Sequence, residues 1–124
     1  MQQRVKLATI NLEVADPQRS KRFYLDALGL SENLERSHAP GFVYLESEGC
    51  GVTLSTPEEA SASEPSRTME LGFETEDLGA LEARFAQYGV SGFRSKSMGW
   101  GDVLEGNDLD GHRVIVYSFR KREP

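Results

Sequence analysis

The pattern of residues 8–16 (ATINLEVAD) returns in residues 69–77 (MELGFETED), 61 positions later. In both segments apolar residues alternate with polar or small ones, as in a β-strand with one buried face, and an aspartate then opens a helical pattern. A glycine ends each helical pattern, Gly29 in the first copy and Gly89 in the second. The chain is therefore predicted to use one structural unit twice.

Each copy predicts a strand, a helix and then three strands, so the predicted fold class is α+β, with two βαβββ modules. The two modules are expected to form a cupped eight-stranded mixed sheet with the helices outside. The first strand of the second copy is expected to bury Met69, Leu71 and Phe73. The other predicted elements are a strand over 7–14, helices over 16–28 and 78–88, an irregular strand over 31–36, a hairpin over 41–55, a loop or edge strand over 90–98, and strands over 102–105 and 113–119.

A length of 124 residues is typical of one domain with a core of its own. Residues 57–68 are polar, rich in Pro and Ser and without periodicity, which predicts an exposed connector. We therefore expect a single domain over residues 1–124, with module one at 1–56, the linker at 57–68 and module two at 69–124.

The charge and composition exclude several classes of partner. A net charge of −6 argues against nucleic acid, and the one basic cluster, residues 120–122, is expected to be a solvated tail. No segment approaches the ~20 apolar residues that cross a bilayer, so no membrane partner is expected. The first residues also lack the apolar core of a signal peptide, which favours a cytoplasmic protein. The single cysteine, Cys50, is expected to be a passive thiol.

Five short segments stand out along the chain: 14–16 (VAD), 23–24 (FY), 28–30 (LGL), 70–77 (ELGFETED) and 108–111 (DLDG). In this order and spacing they resemble the vicinal oxygen chelate superfamily. This group includes glyoxalase I, extradiol dioxygenases, fosfomycin-resistance thiol transferases and bleomycin-resistance binding proteins. The resemblance covers nearly the whole chain and implies the fold, although the fold hosts both enzymes and binders. It also implies a homodimer, as in the bleomycin-type relatives.

The resemblance places the metal ligands of the family's enzymes, typically His or Glu, at four positions of this chain. Two of them, Thr9 and Glu70, lie seven residues before the aspartate that starts each helix, and the others are Thr53 and Ile115. Only Glu70 binds a divalent metal well, whereas a catalytic site needs about three protein ligands. We therefore expect no metal and no cofactor.

The two histidines do not complete this ligand set. His38 lies in a loop before Ala39-Pro40, and His112 follows the DLDG turn. Both are expected to be structural or solvated.

The first functional hypothesis is a metal-free protein that sequesters an organic ligand, as the bleomycin-resistance proteins do. A cationic, antibiotic-like compound is one candidate for this ligand. Such a pocket needs aromatic and apolar walls with a few oriented polar groups. Trp100, between two glycines, is suited to present a stacking ring. The candidate ligand-binding residues are Thr9, Asn11, Phe42, Tyr44, Thr53, Ser55, Glu70, Glu74, Met98, Trp100 and Tyr117.

The second hypothesis is an enzyme of the same superfamily, a lyase, isomerase or dioxygenase with Glu70 as catalytic base or metal ligand. Either role requires a second polar group near Glu70, such as Asn11 or Tyr117. A third possibility is a structural subunit of this fold without a ligand. Glu70 and Glu74 have the competing interpretation of solvated strand residues or of pairing with Arg113.

Overall fold

The computed structural model describes residues 5–57 and 68–120, which fall into two compact units divided between Ser63 and Glu64. Most of the predicted linker, and residues 121–122 of the basic tail, lie outside the described residues. Each unit contains one four-stranded mixed sheet and one helical segment. The prediction of two βαβββ modules is thus confirmed.

The two units have the same order of elements and the same strand order within the sheet. In the first unit the sheet order is β1-β4-β3-β2, and in the second it is β5-β8-β7-β6. In each, the first strand pairs in parallel with the last one. The elements are β1 (Thr9–Glu13), α1 (Pro17–Arg22, continued by a π-helical turn over Phe23–Ala27), β2 (Ser31–Glu32), β3 (Phe42–Glu46), β4 (Gly51–Ser55), β5 (Glu70–Glu74), α2 (Leu78–Gln87), β6 (Arg94–Met98), β7 (Gly101–Asn107) and β8 (Arg113–Phe119).

Both helices begin and end as the sequence predicts. The Asp16 side chain accepts hydrogen bonds from the backbone N–H groups of Gln18 and Arg19, and Asp77 accepts one from Ala80. Gly29 and Gly89 follow the helices with φ values of 80° and 69°. Glycine adopts this left-handed conformation at no steric cost, so both helix ends are set by local sequence.

The first helix differs from the prediction because it is not α-helical throughout. It changes to a π-helical turn at Phe23, and the Leu30 N–H then bonds to the Tyr24 carbonyl at 2.9 Å. Gly29 follows Asp16 by 13 residues, whereas Gly89 follows Asp77 by 12. The π-helical turn absorbs this extra residue, so that the first helix ends on its glycine as the second one does.

The core of each unit lies between its helix and one face of its sheet. Leu71 is buried as predicted, but Met69 is 56% exposed, because β5 begins one residue later and Met69 has no place in the sheet. The residues buried in the first unit include Leu12, Val14, Phe23, Tyr24, Ala27, Val43, Leu45, Val52 and Leu54. Those buried in the second include Leu71, Leu78, Leu81, Phe85, Leu104, Val114 and Val116.

Residues 94–98 form β6, an exposed edge strand, which agrees with one of the two predicted forms of this segment. β7 is longer than the predicted strand over 102–105 and runs from Gly101 to Asn107. Among the described helices, none is long and apolar enough to cross a membrane.

Candidate functional site

The side of each sheet that faces away from its helix is called here the helix-free face, and the candidate residues lie on it. Side chains alternate along a strand, so strand register assigns each residue to one face. On the first sheet the helix-free face carries the candidates Thr9, Asn11, Phe42, Tyr44, Thr53 and Ser55. On the second it carries Glu70, Glu74, Met98 and Tyr117, with Trp100 in the turn between β6 and β7.

The centre of the first helix-free face is polar but well packed. The Thr53 hydroxyl donates to the Asn11 side-chain oxygen at 2.7 Å, and Thr53 is only 3% exposed. The Tyr44 ring lies over Gly51, where an added Cβ would stand 3.2 Å from the Tyr44 hydroxyl oxygen. The Thr53 hydroxyl proton is thus used within the protein, whereas Tyr44 is a half-buried ring on the surface of the sheet.

The second helix-free face ends in a cluster of three aromatic rings, Trp100, Tyr117 and Phe119. The ring centroids are 5.9 Å apart for Trp100 and Tyr117, 5.5 Å for Trp100 and Phe119, and 5.4 Å for Tyr117 and Phe119. Two of the rings remain accessible, with Trp100 44% and Phe119 56% exposed. We call these three residues the aromatic cluster.

Gly101 makes the aromatic cluster possible. It begins β7 opposite Phe119, and a Cβ there would overlap the Ser118 carbonyl oxygen and stand 3.0 Å from the Phe119 Cα. The Arg120 N–H donates to the Trp100 carbonyl at 2.9 Å, which extends the pairing of the two strands past Gly101. The turn that presents Trp100 is therefore held against the end of β8.

Two carboxylates of the second helix-free face, Glu70 and Glu74, differ in their ion pairing. Glu70 forms an ion pair with Arg113 at 3.1 Å, so the predicted alternative of internal pairing is observed for this residue. Glu74 is the strand partner of Tyr117 and is exposed, and it forms no ion pair with any residue that the structure describes. One carboxylate is thus neutralised, and the other stands beside the aromatic cluster.

A third carboxylate on this face, Glu105, is paired with Lys96 across β6 and β7. The Lys96 Nζ lies 2.6 Å from a Glu105 carboxylate oxygen. This hydrogen bond holds the pKa of Glu105 below its ordinary value, because it favours the charged carboxylate.

The residues at the four positions of the family's metal ligands do not suit a metal ion. In the first unit they are two threonines, Thr9 and Thr53, of which Thr53 already donates to Asn11. In the second they are Ile115, which has no donor atom, and Glu70, which is paired with Arg113. Within residues 5–57 and 68–120, no group of three or more His, Cys, Asp or Glu side chains could hold a metal.

The other polar residues singled out in the sequence are placed as follows. His38 is exposed, with its ring centroid 6.4 Å from that of Phe42. Asp108 accepts hydrogen bonds from the backbone N–H groups of Asp110 and His112, which gives the DLDG segment a turn-forming role. Cys50 is a half-buried free thiol.

Two residues of the helix-free faces were missed by the sequence reasoning. Phe119 completes the aromatic cluster, and the alternation of β8 could have indicated it, because Phe119 and Tyr117 are two residues apart. Arg36 lies on the Tyr44 ring, and no periodic pattern could have indicated it, because it is in a turn.

A family model described as the Glyoxalase/Bleomycin resistance protein/Dioxygenase superfamily matches residues 6–116. A search of curated protein sequences finds no significant match.

Solved structures with less than 25% identity share the fold over nearly their whole length. A glyoxylase/bleomycin resistance protein/dioxygenase domain from Frankia sp. EAN1pec is 21% identical, with a TM-score of 0.76 and coverage of 98% of this chain and 96% of that one. TnmS3, an antibiotic binding protein from Streptomyces sp. CB03234, is 16% identical, with a TM-score of 0.73 and coverage of 97% and 100%. Lactoylglutathione lyase from Agrobacterium tumefaciens is 16% identical, with a TM-score of 0.71 and coverage of 94% and 96%.

Proposed function

The chain belongs to the glyoxalase/bleomycin resistance protein/dioxygenase superfamily, and we propose that it binds and sequesters an organic small molecule without using a metal. The superfamily contains both enzymes and binders, so the choice between them depends on the site residues. The proposed ligand is a cationic aromatic compound, and its principal contact is the aromatic cluster of the second unit.

The observation that carries the proposal is the aromatic cluster beside Glu74, a carboxylate that forms no ion pair within residues 5–57 and 68–120. Aromatic faces attract organic cations and stack on flat rings, and a carboxylate adds a charge of the opposite sign. Trp100 and Phe119 are about half exposed, and Glu74 is the strand partner of Tyr117. An aromatic cation would cover both rings and meet the negative charge of Glu74. Met98, 40% exposed on the neighbouring strand, offers an adaptable apolar contact.

The enzyme alternative has weaker support from the same face. It needs Glu70 as a catalytic base or as a metal ligand, yet a Glu70 carboxylate oxygen accepts a hydrogen bond from Arg113 at 3.1 Å. A metal or substrate proton would compete with this guanidinium. The antibiotic-binding description of TnmS3, which has the same fold, supports binding as a use of this architecture.

Fluorescence of Trp100 tests the proposal, because this residue is the single tryptophan of the chain. Cationic aromatic compounds, such as dyes and glycopeptide antibiotics, should change its emission saturably. Glu74→Gln should weaken the binding of cations by about fivefold and leave neutral analogues unaffected, since a partly exposed charge contact contributes about 1 kcal/mol. Glu82→Gln, the same change on the exposed side of α2, is the matched control. Unchanged Trp100 emission with a broad panel of cationic aromatic compounds would refute the proposal.

A further inference from the structure

The first helix-free face carries a cation that the proposed function does not use. Arg36 lies in the turn after β2, and its guanidinium carbon is 5.3 Å from the centroid of the Tyr44 ring. Its Nη1 also donates to the Tyr44 hydroxyl oxygen at 3.3 Å. Arginine commonly stacks on aromatic faces in this way, and the contact orients the guanidinium without neutralising its charge.

Arg36 has no carboxylate partner within 4 Å among the residues that the structure describes. The nearby strand residue Glu46 is held by the Asn33 side-chain amide at 2.9 Å. This carboxylate thus bonds to an uncharged amide and forms no ion pair with Arg36. A guanidinium has five N–H donors, and the structure shows one of them engaged.

The turn that carries Arg36 is fixed by hydrogen bonds at both ends. The Asn33 side-chain oxygen accepts from the Arg36 N–H at 3.0 Å, and the Ser37 hydroxyl donates to the Asn33 carbonyl at 2.9 Å. The Tyr44 N–H donates to the Ser37 hydroxyl oxygen at 2.9 Å, which ties the turn to β3. The backbone of the turn is thus fixed before a ligand arrives, and the Tyr44 contact orients the guanidinium, which lowers the entropic cost of binding.

Phe42 provides apolar surface on the same face. It precedes Tyr44 by two residues, so both side chains leave β3 on one side, and both are half-buried. An aromatic group could contact Phe42 while a charged substituent reaches Arg36.

We propose that Arg36 binds the carboxylate of an aromatic organic acid, with the ring of the acid against Phe42. The planar fork of a guanidinium matches the two oxygens of a carboxylate, and such charge-assisted pairs are about twice as strong as neutral hydrogen bonds. This inference goes beyond the proposed function, because it assigns a ligand group of negative charge to the first unit by itself. It assigns a binding role to Arg36.

The test compares benzoate with benzamide, which have the same shape and differ in charge. Titrations are followed by NMR of the Arg36 Nε–H group and of the Tyr44 ring in low-chloride buffer. Benzoate should shift both signals saturably and bind on the order of tenfold more tightly than benzamide. Arg36→Gln should abolish this preference, and Arg36→Lys should retain part of it, because lysine keeps the charge and loses the fork. Arg19→Gln makes the same charge change at an exposed residue of α1 and should leave the preference intact.

Equal binding of the two compounds, no shift of the Arg36 signal up to tens of millimolar benzoate, or an unchanged preference in Arg36→Gln would each overturn the inference. These readouts are local to the first unit, whereas the proposed function is read from Trp100 in the second. A Trp100 response without an Arg36 response would refute the inference alone, and the reverse would refute the aromatic-cluster proposal alone.

Discussion

Glu70 and Arg113 are direct partners on the parallel strands β5 and β8, and their side chains form an ion pair at 3.1 Å. Glu70 is also the one good metal-binding residue among the four positions where the family's enzymes carry their ligands. This ion pair gives Glu70 a structural role, because it joins the side chains of β5 and β8. It also leaves the neighbouring Glu74 as the carboxylate available beside the aromatic cluster.

Adding a metal ion should have no Glu70-dependent effect on the thermal stability of the protein. Thermal unfolding with Mn²⁺, Ni²⁺, Zn²⁺ or Fe²⁺ should give the same midpoint with and without the ion, since one carboxylate and two threonines do not form a site. Glu70→Gln should lower the free energy of unfolding by less than about 1 kcal/mol, because both partners of the ion pair are partly exposed. A midpoint that rises with metal in the wild type and not in Glu70→Gln would contradict the metal-free assignment.

Gly101→Ala should destabilise the second unit. The added methyl group would overlap the Ser118 carbonyl oxygen, so β7 and β8 must separate next to the aromatic cluster. We expect a loss of about 1–3 kcal/mol in the free energy of unfolding, measured by urea denaturation. Gly99→Ala is the control two residues away, because nothing lies within 4 Å of its added methyl group. Equal effects of the two substitutions would show that the close approach at Gly101 is unimportant.

Removing the Phe119 ring should open the aromatic cluster. In Phe119→Ala, Trp100 loses the neighbour at 5.5 Å, and its emission should move to longer wavelength as water reaches the indole. Ligand affinity should fall by about three- to tenfold, since an aromatic pair contributes ≈ 0.5–1.5 kcal/mol. Tyr88→Ala, which removes a similarly exposed ring at the end of α2, should change neither quantity. An unchanged affinity in Phe119→Ala would mean that the ligand binds elsewhere.

The Lys96–Glu105 ion pair should make the stability of the folded protein depend on pH. The Lys96 hydrogen bond lowers the pKa of Glu105 in the folded protein, so the stabilisation is present above the ordinary Glu pKa. It is lost as the pH falls through the lowered value, where Glu105 becomes protonated. NMR of the Glu105 side-chain carboxyl carbon should show a pKa below the ordinary Glu value. Lys96→Met should return this pKa towards its ordinary value. A Glu105 titration that is identical in the two proteins would refute the assignment.

The elements of the fold could be predicted because the signals for them are local and occur twice. Asp16 and Asp77 cap their helices, and Gly29 and Gly89 end them, through contacts within a few residues in the chain. The π-helical turn was also visible in principle, because the first cap-to-glycine spacing is one residue longer than the second. The joining of the two sheets into one cupped sheet stays a prediction.

The site was less predictable because it depends on contacts between distant residues. Tyr117 was among the candidate residues, but the exposure of Phe119 and Trp100 depends on where β7 meets β8 at Gly101. Arg36 reaches Tyr44 through a turn held by Asn33 and Ser37, whose hydrogen bonds no periodic pattern shows. The roles of the eleven candidate residues stay predictions.

Metal-free sequestration is tested most directly by equilibrium dialysis of a compound that changes Trp100 emission, with and without a chelator. Mass spectrometry then identifies the recovered compound. We expect saturable binding that is unaffected by the chelator and a compound that is recovered unchanged. Loss of binding on chelation, or recovery of a chemically altered product, would contradict metal-free sequestration.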